Sequence, residues 1–224
     1  MVIDVSPSIE KQHDHWENFT NKRKYDHPVV TFFAKQRIDF ISTFIPLNKI
    51  KNALDVGSGL GWSAAHFPKN INMTVTDFSP NQLRHNPVQK QVICNSDDMP
   101  FEDKSFSLVY GWEFLHHVPD PFKTVEEMSR VASDYLVLLE PNRNNPAMFL
   151  YGVLKNHERA TLKFHKKMMY QLVKNIKFDI LACETVGCTF AGSTPQFMLP
   201  LIKKLPYRIP IVGTSNILIC KRRE

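Results

Sequence analysis

An apolar run that ends in three alternating glycines constrains this chain more than any other feature. Residues 53–61 read ALDVGSGLG, with glycines at positions 57, 59 and 61. Such a run is typical of a buried strand followed by a sharp turn, where glycine lets the backbone approach a ligand that a Cβ would block. Asp77 closes the next apolar run, at the place where nucleotide-binding sheets hold ribose hydroxyls. The pattern therefore predicts an adenosine-containing ligand.

Composition indicates a folded protein. Of the 224 residues, 43% are apolar and 22% are charged, which suits one α/β domain with a full core. No apolar run approaches the length of a bilayer and no signal peptide is recognised, so we expect a cytoplasmic protein. A disulfide framework and a metal site are not expected, because there is no CxxC pair among the cysteines, which are Cys94, Cys183, Cys188 and Cys220.

The charge balance gives limited information about partners. Lysine and arginine exceed aspartate and glutamate by 28 − 22 = 6, an excess that basic surfaces use to bind nucleic acid or anionic membranes. The basic residues are spread along the whole sequence, however, with small groups at 22–24, 163–167, 203–204 and 221–223. A solvated surface is therefore favoured over a nucleic-acid interface.

Short apolar runs alternate with helical segments. Strands are predicted at about 52–57, 71–77, 91–94, 106–110, 135–140, 177–184 and 215–220. Two of the intervening helices are marked by a capping residue followed by proline, at Ser79-Pro80 and at Asp120-Pro121. Residues 145–176 are also helical in pattern. This alternation predicts a parallel sheet with right-handed crossovers.

We expect one domain over residues 1–224, in three parts. Residues 1–50 carry an apolar stripe at helical spacing and are expected to form a helical cap over the site. Residues 51–142 carry the ligand motifs, and 143–224 form the substrate side. Within the last part, the proline-containing insert 186–212 is interpreted as a packed lid, with a dimer contact or a membrane-surface patch as alternatives.

The glycine spacing separates the possible ligands. A dinucleotide-binding turn has the pattern G-x-G-x-x-G, but Trp62 stands at the position of the third glycine. A P-loop is excluded because no Gly-Lys-Ser/Thr follows. Asp55 lies two residues before Gly57, and a carboxylate there suits a ligand with an ammonium group better than a pyrophosphate.

Four motifs in order resemble those of class I S-adenosylmethionine-dependent methyltransferases, in their type 11 or small-molecule branch. Residues 55–61 (DVGSGLG) resemble the first motif and residues 75–79 (VTDFS) the ribose-binding motif. Residues 95–101 (NSDDMPF) are similar to the adenine-binding loop, and 115–121 (LHHVPDP) to the segment beyond the fourth strand. The resemblance implies a Rossmann-like doubly wound seven-stranded sheet, mostly parallel with an antiparallel last strand, and helices on both faces.

The resemblance also implies a cofactor, S-adenosylmethionine, and its site. Asp55 and the turn from Gly57 to Gly61 would hold the methionine end, Asp77 the ribose, and Phe78 the adenine ring. Asn95 stands where the family has an acid, and its carbonyl oxygen can accept from the adenine amine. The full predicted cofactor set is Asp55, Gly57, Ser58, Gly59, Gly61, Asp77, Phe78, Ser79, Asn95, Ser96, Asp97, Met99 and Gly111.

Candidates for chemistry follow the fourth and fifth strands. An O-methylation needs a base for the acceptor hydroxyl, and the predicted candidates are Glu113, His116 and His117. For His117, a structural role is favoured over the role of a general base. The predicted substrate contacts are Glu140, Asn142, Arg143, Trp16 and Tyr25.

The expected function is methyl transfer by in-line displacement to a small-molecule or lipid-like acceptor. The alternatives are an RNA or protein methyltransferase and a catalytically silent cofactor-binding subunit. Asn95, and Ser107 in place of a common aspartate, motivate the silent subunit. A monomer or homodimer is expected, with peripheral membrane contact as an option.

Overall fold

The computed structural model describes residues 23–223, which contain a seven-stranded sheet. Its strands are β1 (Asn52–Val56), β2 (Asn72–Asp77), β3 (Gln91–Ile93), β4 (Phe106–Trp112), β5 (Ala132–Pro141), β6 (Phe178–Val186) and β7 (Ser215–Arg222). The order across the sheet is β3-β2-β1-β4-β5-β7-β6. The pairs from β3 to β5 are parallel, and β7 runs antiparallel to both of its neighbours. The predicted architecture is confirmed.

The described residues form six α-helices, of which the first precedes β1 and the others connect strands. They are α1 (Pro28–Ser42), α2 (Pro80–Arg84), α3 (Pro121–Val131), α4 (Pro146–Leu154), α5 (Lys166–Leu172) and α6 (Leu199–Ile202). Short 3-10 segments include Ala64–His66, Leu115–His117 and Asn156–Lys163. The predicted helical stretch 145–176 is therefore divided into three pieces. Within residues 23–223, every helix is too short or too polar to cross a bilayer.

Two predicted helix starts are confirmed by their caps. Ser79 Oγ accepts the N–H of Gln82 at the start of α2, and Pro80 occupies the first helical position. Asp120 Oδ1 accepts the N–H groups of Phe122 and Lys123 at the start of α3. These bonds satisfy backbone donors that have no partner within the helix.

The sheet buries alternate residues on its two faces. One face packs under α3 and α5, and it buries Leu54, Val56, Val109, Leu136 and Leu138. The other face packs under α1, and it buries Ala53, Leu108, Tyr110, Val137 and Leu139. Each fully buried aliphatic side chain contributes about 1.5–3 kcal/mol. The sheet is covered on both sides, as a parallel sheet requires.

The segment after β1 does not form the α-helix that the alternation of strands and helices predicts. Gly61 and Pro68 bracket a short stretch that forms turns and the 3-10 segment Ala64–His66, because so few residues cannot complete a stable α-helix before the proline. Trp62 in this segment packs against Val30 and Phe33 of α1 and against Ala191.

Candidate functional site

A pocket of about 410 Å³ lies at the carboxyl ends of the first four strands. The sheet order changes direction between β1 and β4, and such a switch point opens a crevice in doubly wound sheets. The predicted cofactor residues that line the pocket are Gly57, Gly59, Asp77, Phe78, Asn95, Ser96 and Asp97. Glu113 and His117 line it as well. The structure therefore brings residues of all four motifs together in one pocket.

The glycine turn needs its glycines for two reasons. Gly57, Gly59 and Gly61 have φ of +67°, +49° and +71°, a region that side chains rarely adopt. At Gly61 an added Cβ would also lie 2.4 Å from Oδ1 of Asn86. The Asn86 amide donates to Ser58 Oγ and to the Gly59 carbonyl, each at 3.0 Å. The turn is thereby held against the loop after α2.

Asp77 joins the glycine turn to β2. Its Oδ2 accepts the Gly59 N–H at 2.9 Å, and its Oδ1 accepts the Ser79 N–H at 2.9 Å. The carboxylate is buried but still lines the pocket. Asp77 therefore orders two loops, as a capping acid does, and also faces the space where a ribose is expected.

Asp55 lies beside the turn but away from the pocket. Its neighbours Leu54 and Val56 point to the opposite face, and its strand partner is Tyr110. Ser63 Oγ donates to Asp55 Oδ2 at 2.5 Å. Burial raises the pKa of Asp55 to about 7, in spite of the Ser63 hydrogen bond. The carboxylate is 1% exposed, so a ligand would reach it only after rearrangement.

Phe114 is a pocket residue that the sequence analysis did not identify. Its ring packs against two glycines, so an added Cβ would lie 2.5 Å from the ring at Gly57 and 2.1 Å at Gly111. Gly111, a predicted cofactor residue, is thus covered by this ring. The sequence gave no signal for the contact between Gly57 and Phe114, because Gly57 follows β1 and Phe114 follows β4.

The turn after β4 places Glu113 at the rim of the pocket. Glu113 adopts a left-handed φ of +55°, and its N–H donates to the Leu139 carbonyl at 2.6 Å. Its Oε1 accepts from Ser215 Oγ at 2.9 Å and lies 3.6 Å from the guanidinium of Arg37. Arg37 is fully buried, so Glu113 is the counter-charge of a buried cation.

His116 and Glu140 form a buried pair behind the pocket. Glu140 Oε1 accepts the N–H groups of Phe114 and Leu115, and its Oε2 lies 2.6 Å from His116 Nδ1. Burial opposes a charge on His116, but the carboxylates of Glu140 and Glu158 outweigh it and raise the pKa of His116 to about 10. Glu140 therefore supports the segment after β4, and its carboxylate does not face the pocket.

The remaining predicted residues lie outside the pocket lining. Asn142 is buried and donates to the carbonyls of Ile211 and Gly213, and Arg143 donates to the Leu162 carbonyl on the surface. Met99 is buried in the core, and its N–H donates to Glu127. Tyr25 is exposed, with its carbonyl against His66. Trp16 lies outside the described residues.

Known proteins share this sequence pattern and fold. Residues 54–134 match the family described as a methyltransferase domain. Tocopherol O-methyltransferase of Arabidopsis thaliana is 34% identical over 98 residues, which are 38% of this chain and 28% of that protein. Ajmaline N-methyltransferase of Rauvolfia serpentina is 31% identical over 100 residues, 39% of this chain and 34% of that protein. The chain thus spans about a third of the length of these relatives.

A solved structure extends the likeness to almost the whole chain. A SAM-dependent methyltransferase of Thermotoga maritima superposes with a TM-score of 0.69 at 16% identity, over 95% of this chain and 100% of that one. The sheet with its antiparallel β7 and the pocket at the strand ends define the Rossmann-like methyltransferase fold. Residues 54–134 thus match a methyltransferase domain, and the described residues have the fold of S-adenosylmethionine-dependent methyltransferases.

Proposed function

We propose that this chain transfers the methyl group of S-adenosylmethionine to a small-molecule or lipid-like acceptor. The observation that carries the proposal is the pocket in which the glycine turn, Asp77 and the loop 95–97 meet. Its volume of about 410 Å³ lies within the range of small-molecule sites. Each of these three parts suits a different portion of the cofactor.

The residues present fit the nucleoside portion in particular. Asp77 offers carboxylate oxygens to ribose hydroxyls, and bonds to a charged acceptor are stronger than neutral ones. Phe78 supplies an apolar ring for the adenine, while Asn95 and the Ser96 backbone supply polar groups for its edge. The methionine portion would lie along Gly57 and Gly59, beside the Phe114 ring.

Methyl transfer of this kind depends mainly on alignment. The bound cofactor supplies an activated methyl group on a sulfonium, which is already a good leaving group. The chain therefore has to hold the acceptor in line and to exclude water, and positioning can supply about 7–11 kcal/mol of the barrier. The rigid strand ends that carry the pocket suit this task.

Two of the three proposed bases face the pocket. Glu113 and His117 line it, and either side chain can accept a proton from an acceptor hydroxyl. His116 is buried between Glu140 and Glu158, which leaves Glu113 and His117 as the stronger candidates. Glu140, Asn142 and Arg143 are engaged in hydrogen bonds that hold loops, so any contact with substrate would be indirect.

Exposed apolar side chains on α4 and on the insert 186–212 support a lipid-like acceptor and peripheral membrane contact. On α4 the exposed side chains are apolar, among them Phe149, Leu150, Val153 and Leu154. Asn145 at the start of α4 bonds to Val212, and the insert adds exposed apolar residues, including Phe197 and Ile211. Large exposed apolar patches mark interaction surfaces. One relative, tocopherol O-methyltransferase, is named for a lipid-like acceptor.

A methyl-transfer assay tests the proposal. The purified chain is incubated with cofactor labelled in the methyl group and with cell extract divided into aqueous, lipid, RNA and protein fractions. We expect label in the aqueous small-molecule or lipid fraction, and less label with the Asp77→Ala variant when the cofactor concentration is below saturation. Label in RNA or protein would establish the alternative methyltransferase class. Cofactor binding without transfer to any fraction would indicate a catalytically silent subunit.

A further inference from the structure

Three potential metal ligands meet on one side of the pocket. His116, His117 and Glu158 each place one ligand atom so that all three atoms lie within 4.8 Å of one another. His116 Nε2 and Glu158 Oε2 are 3.4 Å apart. Two ligands at about 2.0–2.2 Å from a tetrahedral ion are separated by about 3.3–3.6 Å. We propose that this cluster binds one divalent transition-metal ion.

The surroundings of His116 match those of a histidine that binds metal. Its other ring nitrogen, Nδ1, lies 2.6 Å from Glu140 Oε2. Such a carboxylate fixes the ring orientation and directs Nε2 toward Glu158 Oε2, and the ion would lie between these two atoms. Glu140 is itself held by the N–H groups of Phe114 and Leu115. Glu140 thus acts as a positioning residue for the proposed site.

The charges around the cluster also favour a cation. Glu140 and Glu158 place two carboxylates on either side of one imidazole, and both side chains are largely or fully buried. The negative charge of these two carboxylates would balance the positive charge of a bound divalent ion.

The ligand set selects the kind of ion. Two imidazoles and one carboxylate suit zinc, cobalt, manganese or iron, whereas magnesium and calcium prefer oxygen ligands alone. Three protein ligands leave coordination positions open. His117 also lines the proposed cofactor pocket, so the ion would lie next to that pocket. If the proposed methyl transfer is correct, the ion would hold an oxygen or nitrogen of the acceptor beside the cofactor.

Metal binding is measured on the whole chain without any activity assay. The purified protein is treated with a chelator and titrated with Co²⁺, whose visible absorption reports coordination, and then with Zn²⁺ in competition. We expect one equivalent of Co²⁺ to bind and Zn²⁺ to displace it, while Mg²⁺ does not. The variants His117→Gln and Glu158→Gln should each weaken Co²⁺ binding by at least about tenfold.

A histidine variant outside the cluster serves as the control for the loss of an imidazole. His85→Gln changes an exposed histidine at the end of α2, and it should bind Co²⁺ as the unmodified chain does. Circular dichroism and titration with S-adenosylmethionine verify that each variant is folded. Equal Co²⁺ binding by the unmodified chain and the two ligand variants would overturn the metal site. Binding of S-adenosylmethionine without binding of metal would refute this inference alone. Binding of metal without binding of S-adenosylmethionine would refute the proposed function alone.

Discussion

The backbone N–H of Gly59 donates to Oδ2 of Asp77 at 2.9 Å. This bond joins the turn after β1 to the end of β2, and it therefore sets the distance between the proposed methionine and ribose subsites. Asp77 also accepts the Ser79 N–H and so fixes the entry into α2. A single carboxylate thus links the proposed recognition of the cofactor to the order of the pocket.

Replacing Asp77 should weaken cofactor binding more than any other single change in the nucleoside subsite. Asp77→Ala removes a charged acceptor, and hydrogen bonds to charged groups contribute about 1.5–3 kcal/mol. We expect the dissociation constant for S-adenosylmethionine to rise by about tenfold to a hundredfold, measured by isothermal titration. Asp77→Asn keeps one acceptor oxygen and should therefore lose less affinity for S-adenosylmethionine than Asp77→Ala. The exposed Asp39→Asn serves as the control, and equal affinity of all three variants would contradict the assignment.

The contact between Gly111 and Phe114 predicts a coupled pair of mutations. An added Cβ at Gly111 would lie 2.1 Å from the Phe114 ring, and overpacking of this kind costs about 1–3 kcal/mol. Gly111→Ala should therefore lower the free energy of unfolding, measured with denaturant. The smaller side chain in Phe114→Leu makes room for the methyl group, so the double variant should lose less than the sum of the two single losses. Strict additivity would show that the ring does not press on Gly111.

Because Asp55 is buried, the stability of the chain should decrease as the pH rises. Its pKa is raised from 3.8 to about 7 in the folded chain, so the folded state keeps its proton while the unfolded state ionises. The stability contributed by Asp55 should fall as the pH rises between these two values, by up to about 4 kcal/mol. Asp55→Asn cannot ionise, and its free energy of unfolding should increase relative to the unmodified chain over the same pH window.

Denaturant unfolding at a series of pH values checks this expectation. The Asp39→Asn variant controls for the loss of an exposed carboxylate. A constant difference in unfolding free energy between Asp55→Asn and the unmodified chain across the window would show that Asp55 is already ionised below neutral pH.

Substitutions of Arg37 and Glu113 should lower the free energy of unfolding by unequal amounts. Arg37 is fully buried, whereas the Glu113 side chain is 37% exposed. Glu113→Gln leaves a buried cation without its counter-charge and should cost about 1–3 kcal/mol of stability. Arg37→Met leaves a partly solvated carboxylate and should cost less. In the Arg37→Met background, Glu113→Gln should have little further effect on stability.

The same pair separates a structural from a catalytic role of Glu113. If Glu113 accepts the acceptor's proton, Glu113→Gln lowers turnover in both backgrounds. If it only balances Arg37, turnover recovers together with stability when Arg37→Met is added. Equal stability losses in both backgrounds would show that the two side chains are not coupled.

The sequence predicted those parts of the molecule that depend on local pattern. Strand positions follow from apolar runs, and Ser79 and Asp120 mark helix starts because capping acts within three residues. The ordered motifs located Gly57, Asp77 and Asn95 correctly at one end of the sheet, because parallel strands bring their carboxyl ends together.

Contacts between distant segments could not be predicted in this way. Glu140 lies at the carboxyl end of β5, where a substrate residue is expected, yet its carboxylate turns inward to the backbone after β4. Asp55 stands at the expected position, but strand alternation directs it to the other face of the sheet. Glu158 contacts His116 because the 3-10 segment Asn156–Lys163, which carries Glu158, lies next to the segment that carries His116. No spacing rule connects these residues, so the proposed metal site had no signal in the sequence.

Titration with S-adenosylmethionine and, separately, with NAD tests the central claim most directly. The account predicts saturable binding of S-adenosylmethionine at a single site and no binding of NAD, with the affinity for S-adenosylmethionine reduced in Asp77→Ala. Tight binding of NAD together with no response to S-adenosylmethionine would contradict it.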